Sequence, residues 1–168
     1  MNYPWQGQVA KAFTLAEALI ASALLAASIT AITLPFTASA HNQQDEARRT
    51  VAVSLAQELM EEILSKPFRD PDGPSAPGPE SGETSRSLLD NLDDYHGFFE
   101  PAGQLIGLDG QRVTTPASTG LSRSVTATYV YLSGQSTAKP PSYLRIIVTV
   151  YYRGQVVVCL SRLAYDLT

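Results

Sequence analysis

The apolar residues of this chain change period twice, and each change marks a different environment. From Ala18 to Ala40 runs a span of 23 residues with no formal charge. At about 1.5 Å per helical residue, such a span crosses a hydrocarbon core of roughly 30 Å. Between Lys11 and Asp45 the only formally charged residue is Glu17. Pro35 interrupts the span, with Ser28, Thr30, Thr33 and Thr37 around it. Proline lacks an amide donor and disfavours the helical conformation of the residue before it. The pattern therefore predicts a kink or melted turn near Leu34, its freed carbonyls satisfied by neighbouring helices.

From Asp45 to Ser65 the pattern becomes amphipathic. Val51, Leu55, Leu59 and Ile63 fall at every fourth position, with Ala52, Ala56, Met60 and Leu64 beside them. This is the stripe of a helix packed on a domain. Gln57, Glu58, Glu61 and Glu62 fall on the opposite face, expected to meet solvent. Lys66 suits the helix end and Pro67 marks its stop.

Periodicity is then lost from Asp70 to Ser87, a stretch rich in Pro, Gly, Ser and Glu that reads as a long surface loop. Leu88, Leu89, Leu92, Tyr95, Phe98 and Phe99 are candidate anchors of that loop to a core. The last third alternates with period two. Val125 to Leu132, Tyr143 to Tyr152 and Gln155 to Leu163 read as three strands, with a tight turn at Arg153-Gly154. Successive strands joined by short loops make an antiparallel meander whose apolar face needs a cover, and the Asp45–Leu64 stripe can supply it. The expected fold class is α+β: a long kinked N-terminal α-helix, half membrane span and half amphipathic, packed on a small antiparallel β-sheet. The expected segments are 1–12 as a leader peptide, 13–40 as the membrane helix, 41–66 as its amphipathic half, 67–120 as a variable acidic Pro/Gly-rich loop region, and 121–168 as the meander.

Charge and candidate chemistry narrow the function classes. Charged residues are 17% of the 168, against about 25% in soluble domains, and the net charge is -4. With no basic stripe beyond Arg48-Arg49, nucleic acid is not an expected partner. A single cysteine, Cys159, excludes an internal disulfide and a thiolate zinc cage, and in a strand it is expected as a buried small hydrophobe. Two histidines, His41 and His96, with no Ser, Cys or second His in a catalytic frame, give no enzyme signature. Asp70, Asp72, Asp90, Asp93 and Asp94 offer hard oxygens suited to Ca²⁺. Their spacing matches no EF-hand loop, so a solvated acidic loop without a cofactor is the plainer expectation.

The stretch Ala12-Phe13-Thr14-Leu15-Ala16-Glu17-Ala18-Leu19-Ile20-Ala21 resembles the processing site of type IV pilins and pseudopilins. The resemblance implies a prepilin peptidase cutting between Ala12 and Phe13, N-methylation of Phe13, and an assembly role for Glu17 as the glutamate at the fifth mature position. Ala12 stands where the family usually has glycine, which bears on the efficiency of processing. It covers Ala12 to about Ala40. Residues Ala56-Gln57-Glu58-Leu59-Met60-Glu61-Glu62-Ile63-Leu64-Ser65-Lys66-Pro67-Phe68 also look like the helix end of minor pilins of the mannose-sensitive haemagglutinin type. The implied role is a structural minor subunit of a type IV pilus or type II secretion pseudopilus, with no enzymatic activity. The implied partners are the prepilin peptidase, sibling pilin or pseudopilin subunits, an inner-membrane assembly platform and membrane lipid. The implied location is the inner membrane, the C-terminal domain outside the cytoplasm, and then the filament.

Elementary electrostatics bears on that implication. A carboxylate at mid-bilayer depth costs at least about 2.5–3.5 kcal/mol, so Glu17 needs a partner. Cleavage before Phe13 would create an amine at i−4, but an internal pair of that kind is worth only about 0.2–0.5 kcal/mol in exposed helices. The family implies instead the amine of a neighbouring subunit. Two other readings stay open from sequence: a non-polymerising bitopic inner-membrane protein with a ligand-binding external domain, and a secreted hydrolase whose signal ends at Ala40.

Overall fold

The structure, a computed structural model, describes residues 13–70, 77–131, 133–134 and 142–166. Its elements in chain order are α1 (Leu15–Leu64), β1 (Phe99–Glu100), β2 (Leu121–Val130), β3 (Tyr143–Tyr152) and β4 (Gln155–Tyr165). The chain divides into two compact units between Gln43 and Gln44, and α1 contributes to both.

In the first unit every described side chain from Phe13 to Gln43 is exposed, apolar ones included: Leu19, Leu24 and Ile32 each keep about 60% of their surface. A helix that is apolar all round and buries nothing by itself is one built for lipid or for other helices. By length and composition α1 is able to cross a membrane. Pro35 lies inside it, and the helix assignment is continuous from Leu15 to Leu64. The hydroxyls around the proline turn back on their own helix rather than outward. Ser28 donates to the Leu24 carbonyl, Thr30 to Ala26, Thr33 to Ile29 and Thr37 to Leu34, all at 2.8–2.9 Å. Neighbouring helices are thus not needed to satisfy these hydroxyls.

In the second unit the C-terminal part of α1 buries the predicted stripe. Ala52, Leu55, Ala56, Leu59, Met60 and Ile63 are at most 2% exposed. They share one core with Leu121, Val125, Ala127, Leu144, Ile146, Val148 and Val150 of the sheet. Each fully buried Leu or Ile contributes about 1.5–3 kcal/mol, so this shared face is the main apolar term. The sheet has four strands in the order β1-β2-β3-β4, antiparallel throughout. Val125 pairs with Val148, and Val148 with Leu160. The β3–β4 turn places both Arg153 (φ 50°) and Gly154 (φ 82°) in the left-handed region, as a type I′ hairpin turn requires. The α+β meander under a long helix is thus as expected from sequence. The short β1 is an addition, and β2 begins four residues earlier than the alternation suggested.

The stretch from Leu89 to Phe98 is pinned to the core by backbone bonds and buried side chains. The Leu92 amide donates to the Pro67 carbonyl at 3.1 Å, and Gly97 and Phe98 exchange amide bonds with Val125. Leu89, Leu92 and Tyr95 are buried anchors, whereas Leu88 and Phe99 remain mostly exposed.

A charged network inside the unit fastens these parts together. Arg123 is in phase with Leu121 and Val125 on the inner face of β2 and is fully buried. Its Nε donates to Glu100 Oε2 at 2.5 Å, and its two Nη atoms donate to the Leu55 and Ile106 carbonyls at 2.9 and 2.5 Å. Arg86 bonds both carboxylate oxygens of Glu62, then Glu100 Oε1 at 3.1 Å and the Ile106 carbonyl at 2.9 Å. The Tyr95 hydroxyl completes it by donating to Glu62 Oε1 at 2.8 Å. Glu62, expected on the solvated face of the helix, is instead half-buried and carries three donors. Two guanidinium groups face two carboxylates, so charge cancels and the remaining donors find carbonyls.

Breaking a buried pair by removing one partner strands the other, at a cost of about 3–5 kcal/mol. Arg123→Ala should therefore lose about that much in denaturant unfolding of the detergent-solubilised chain, while exposed Arg145→Ala should change it by no more than about 0.5 kcal/mol. Similar small losses for both would contradict the network's role. Glu62 gives a pH signature. Burial alone would raise its carboxyl, but the hydrogen bonds from Arg86 and Tyr95 and the charges of Arg86 and Arg123 hold it below 4.5. A depressed folded value stabilises above the unfolded one, and that stabilisation is lost as pH falls through the folded value. The stability difference between wild type and Glu62→Gln should be full at neutral pH and shrink progressively below about 4.5. A difference that stays constant with pH would contradict this.

Candidate functional site

The first candidate site begins at the N-terminus of α1. Thr14 is the residue before the first helical one, and Thr14-Leu15-Ala16-Glu17 has the spacing of a capping box. The geometry is reciprocal. The Thr14 amide and hydroxyl donate to Glu17 Oε2 at 2.9 and 2.8 Å, and the Glu17 amide donates to the Thr14 hydroxyl at 3.2 Å. A carboxylate in the first turn also faces the positive end of the helix dipole. Both Thr14 bonds fall on Oε2, so Oε1 lies outside the capping box. Among the described residues Glu17 forms no ion pair. Phe13, just before the cap, keeps 84% of its surface exposed. Ala12, the residue on the other side of the expected cut, lies outside the described residues.

The arrangement gives Glu17 two separable jobs. One is local: satisfying otherwise orphaned amide groups at the start of α1. The other is a full negative charge held at a fixed place among exposed Leu15, Leu19 and Ile20. The capping spacing is visible in the sequence, but a reading directed at the apolar span passes over it.

The second candidate lies in the other unit, where the acidic segment folds. Of the five aspartates, the four among the described residues do not converge on one site. Asp72 lies outside the described residues. Asp90 is half-buried, and its amide donates to Asp94 Oδ2 at 2.8 Å. Asp93 is buried and accepts from the Tyr129 hydroxyl, with burial raising its carboxyl above the ordinary value. Asp70 is half-buried and close enough to Asp93 to add to that rise. Only Asp94 joins a group able to act as one unit, together with Glu80 and Glu83. A carboxylate oxygen from each of the three lies within 4.8 Å of the other two. Burial first, and then the shared contact with Glu80 and its charge, pushes the Asp94 carboxyl up to about 6 against the pull of two backbone donors. Desolvation, contact with Glu80 and the charges of Asp94 and Glu80 likewise push Glu83 up to about 6. The two glutamates were not legible as partners of Asp94, because neither stands at a motif spacing from it.

The remaining sequence candidates are placed plainly. His96 is exposed and stands one residue beyond the buried Asp93–Tyr95 run. Cys159 is exposed, not buried, because it points to the outer face of β4, beside Thr149. Strand alternation fixes a side of the sheet but not which side is the core, and here the helix covers the other one.

Comparison with family models, with curated proteins and with solved structures finds no match to this chain.

Proposed function

We propose that the chain is a structural filament subunit of the pilin and pseudopilin type. In this reading a prepilin peptidase cuts between Ala12 and Phe13, and Phe13 is N-methylated. The apolar part of α1 holds the subunit in the inner membrane with the second unit outside the cytoplasm. An assembly platform then moves it into a type IV pilus or secretion pseudopilus, where the same apolar surface packs against sibling helices. The subunit does no chemistry and needs no cofactor for this.

The observation that carries the reading is Glu17: one carboxylate in the first turn of a helix whose other described side chains down to Gln43 are exposed and uncharged. A charge there is costly in lipid, and among the described residues it is met by the neutral donors of Thr14. The amine that cleavage would create at Phe13 of a neighbouring subunit is the cationic partner such a group lacks, and Oε1 is the oxygen left to receive it. An amphipathic continuation that covers a small sheet, leaving the apolar part unpartnered, supports the same division of labour.

The capping box supplies the control that separates charge from cap. Glu17→Gln keeps the capping-box spacing, since glutamine serves at that position, but removes the charge. Glu17→Ala removes both. A hydrogen bond to a charged group is worth about 1.5–3 kcal/mol, so recovery of Glu17→Gln in sheared filaments should fall about tenfold or more, close to that of Glu17→Ala. Wild-type incorporation of Glu17→Gln beside failure of Glu17→Ala would reduce Glu17 to a helix cap and contradict the pairing role.

A further inference from the structure

We propose that Arg48 and Arg153, stacked against Tyr152, form a site for the phosphate of an anionic lipid headgroup and so fasten the second unit to the membrane surface. The proposal rests on the membrane part of the reading above, not on filament assembly or on Glu17.

The site is a cavity of about 440 Å³ that lies wholly within the second unit. Tyr152 is its aromatic wall. The guanidinium carbon of Arg48 lies 3.9 Å from the ring centroid and that of Arg153 lies 5.2 Å from it, both within cation–π reach. Gly120 allows the ring to come this close to the backbone. It sits at φ 80°, and a Cβ there would meet a Tyr152 ring carbon at 3.0 Å. The Gly120 carbonyl also accepts from the Arg153 amide at 3.1 Å, which fixes the root of that side chain. Two cations are thus held on one ring, and ordering them in advance lowers the cost of gripping a ligand.

The fold uses little of their charge. The Arg48 side chain is 20% exposed, its Nη1 donates to Asp45 Oδ1 at 2.6 Å, and its Nε is sealed from solvent without a hydrogen-bond partner. Among the described residues Arg153 forms no ion pair. Glu46 and Arg49 line a different groove of α1. One carboxylate against two guanidinium groups leaves a positive site in a chain whose net charge is -4. A phosphodiester carries one negative charge and two free oxygens, which suits a planar guanidinium fork better than a point charge. Gln44 and Thr119 line the same cavity and add uncharged donors for the hydroxyls of a headgroup.

The chain's own tether favours a lipid over a dissolved ligand. Four residues separate Ala40, the end of the apolar span, from Gln44 at the cavity. They reach about 6 Å as helix and at most about 14 Å fully extended. The headgroup zone adds roughly 5–8 Å beyond the hydrocarbon on each side, and arginine side chains extend further towards it. The cavity therefore stays within reach of headgroups whatever angle the chain takes after Ala40.

The test uses the full chain in a nonionic detergent, with native mass spectrometry counting bound lipid and thermal unfolding reporting its effect. The probes are phosphatidylglycerol, phosphatidylcholine (the same phosphate beside a quaternary ammonium) and inorganic phosphate. The expected result is one saturable phosphatidylglycerol per chain, with a melting temperature that rises as it binds and phosphatidylcholine held at least about fivefold more weakly. Arg153→Gln should weaken phosphatidylglycerol at least about fivefold, the worth of one basic side chain near an anionic surface. Arg145→Gln, which makes the same change of net charge at an exposed position of β3, should stay within about twofold of wild type. Equal melting temperatures of the two variants without lipid would show that Arg153→Gln folds normally, and Arg153→Lys should recover only part of the loss. Equal binding of the two lipids overturns the proposal, as do equal losses in Arg153→Gln and Arg145→Gln. Inorganic phosphate that binds as tightly as phosphatidylglycerol would make this a phosphate site and overturn the lipid assignment. None of these outcomes depends on cleavage or on filaments, so failure here leaves the Glu17 test standing.

Discussion

A guanidinium group with no exposed surface has to be paid for inside the fold, and Arg123 shows how far that requirement reaches. Its five donors draw on β1 through Glu100, on α1 through the Leu55 carbonyl and on the 101–115 loop through the Ile106 carbonyl. Arg86 then uses the second oxygen of Glu100 and both oxygens of Glu62. Neither arginine is satisfied unless helix, loop and sheet are all in place. The apolar face between α1 and the sheet supplies most of the driving force, but it is non-directional. The ion network adds direction, since a shift of α1 along the sheet would break bonds at both Leu55 and Glu62.

This explains which parts of the fold were legible in the sequence. The stripe from Ala52 to Ile63, strand β3 and the Arg153-Gly154 turn are local signals, carried by residues within a few positions of each other. The network is not local. Arg123 and Glu100 are 23 residues apart, Arg86 and Glu62 are 24 apart, and Arg123 reaches Leu55 across 68. Glu62 looked like a solvent residue because it shares a polar pattern with Gln57 and Glu61, which are exposed. Arg123 was findable in principle, since it shares the phase of Leu121, Val125 and Ala127, but only once β2 is known to begin at Leu121. Of the candidate sites, the Phe13–Glu17 frame was legible as a motif. The carboxylate group was only a third legible, through Asp94, because a turn at Gly82 brings its glutamates in.

The carboxylates of this chain form a series that runs from satisfied to unsatisfied. Glu62 and Glu100 meet guanidinium groups inside their own unit. Glu80, Glu83 and Asp94 meet one another, and burial with their mutual contact raises the Glu83 and Asp94 carboxyls to about 6. Glu17 meets two neutral donors from Thr14 and sits among exposed apolar side chains. That gradient connects the stability of the second unit to the assembly reading of the first without requiring any catalytic group.

The central claim is that the stretch beginning at Phe13 is a processed and assembling N-terminus, and the most direct measurement is the intact mass and N-terminal peptide of the mature protein from membranes of cells that express it. The account predicts a chain that begins at Phe13 with a methylated amine. A mature chain that still carries the residues before Phe13, or one that begins at His41, would contradict it.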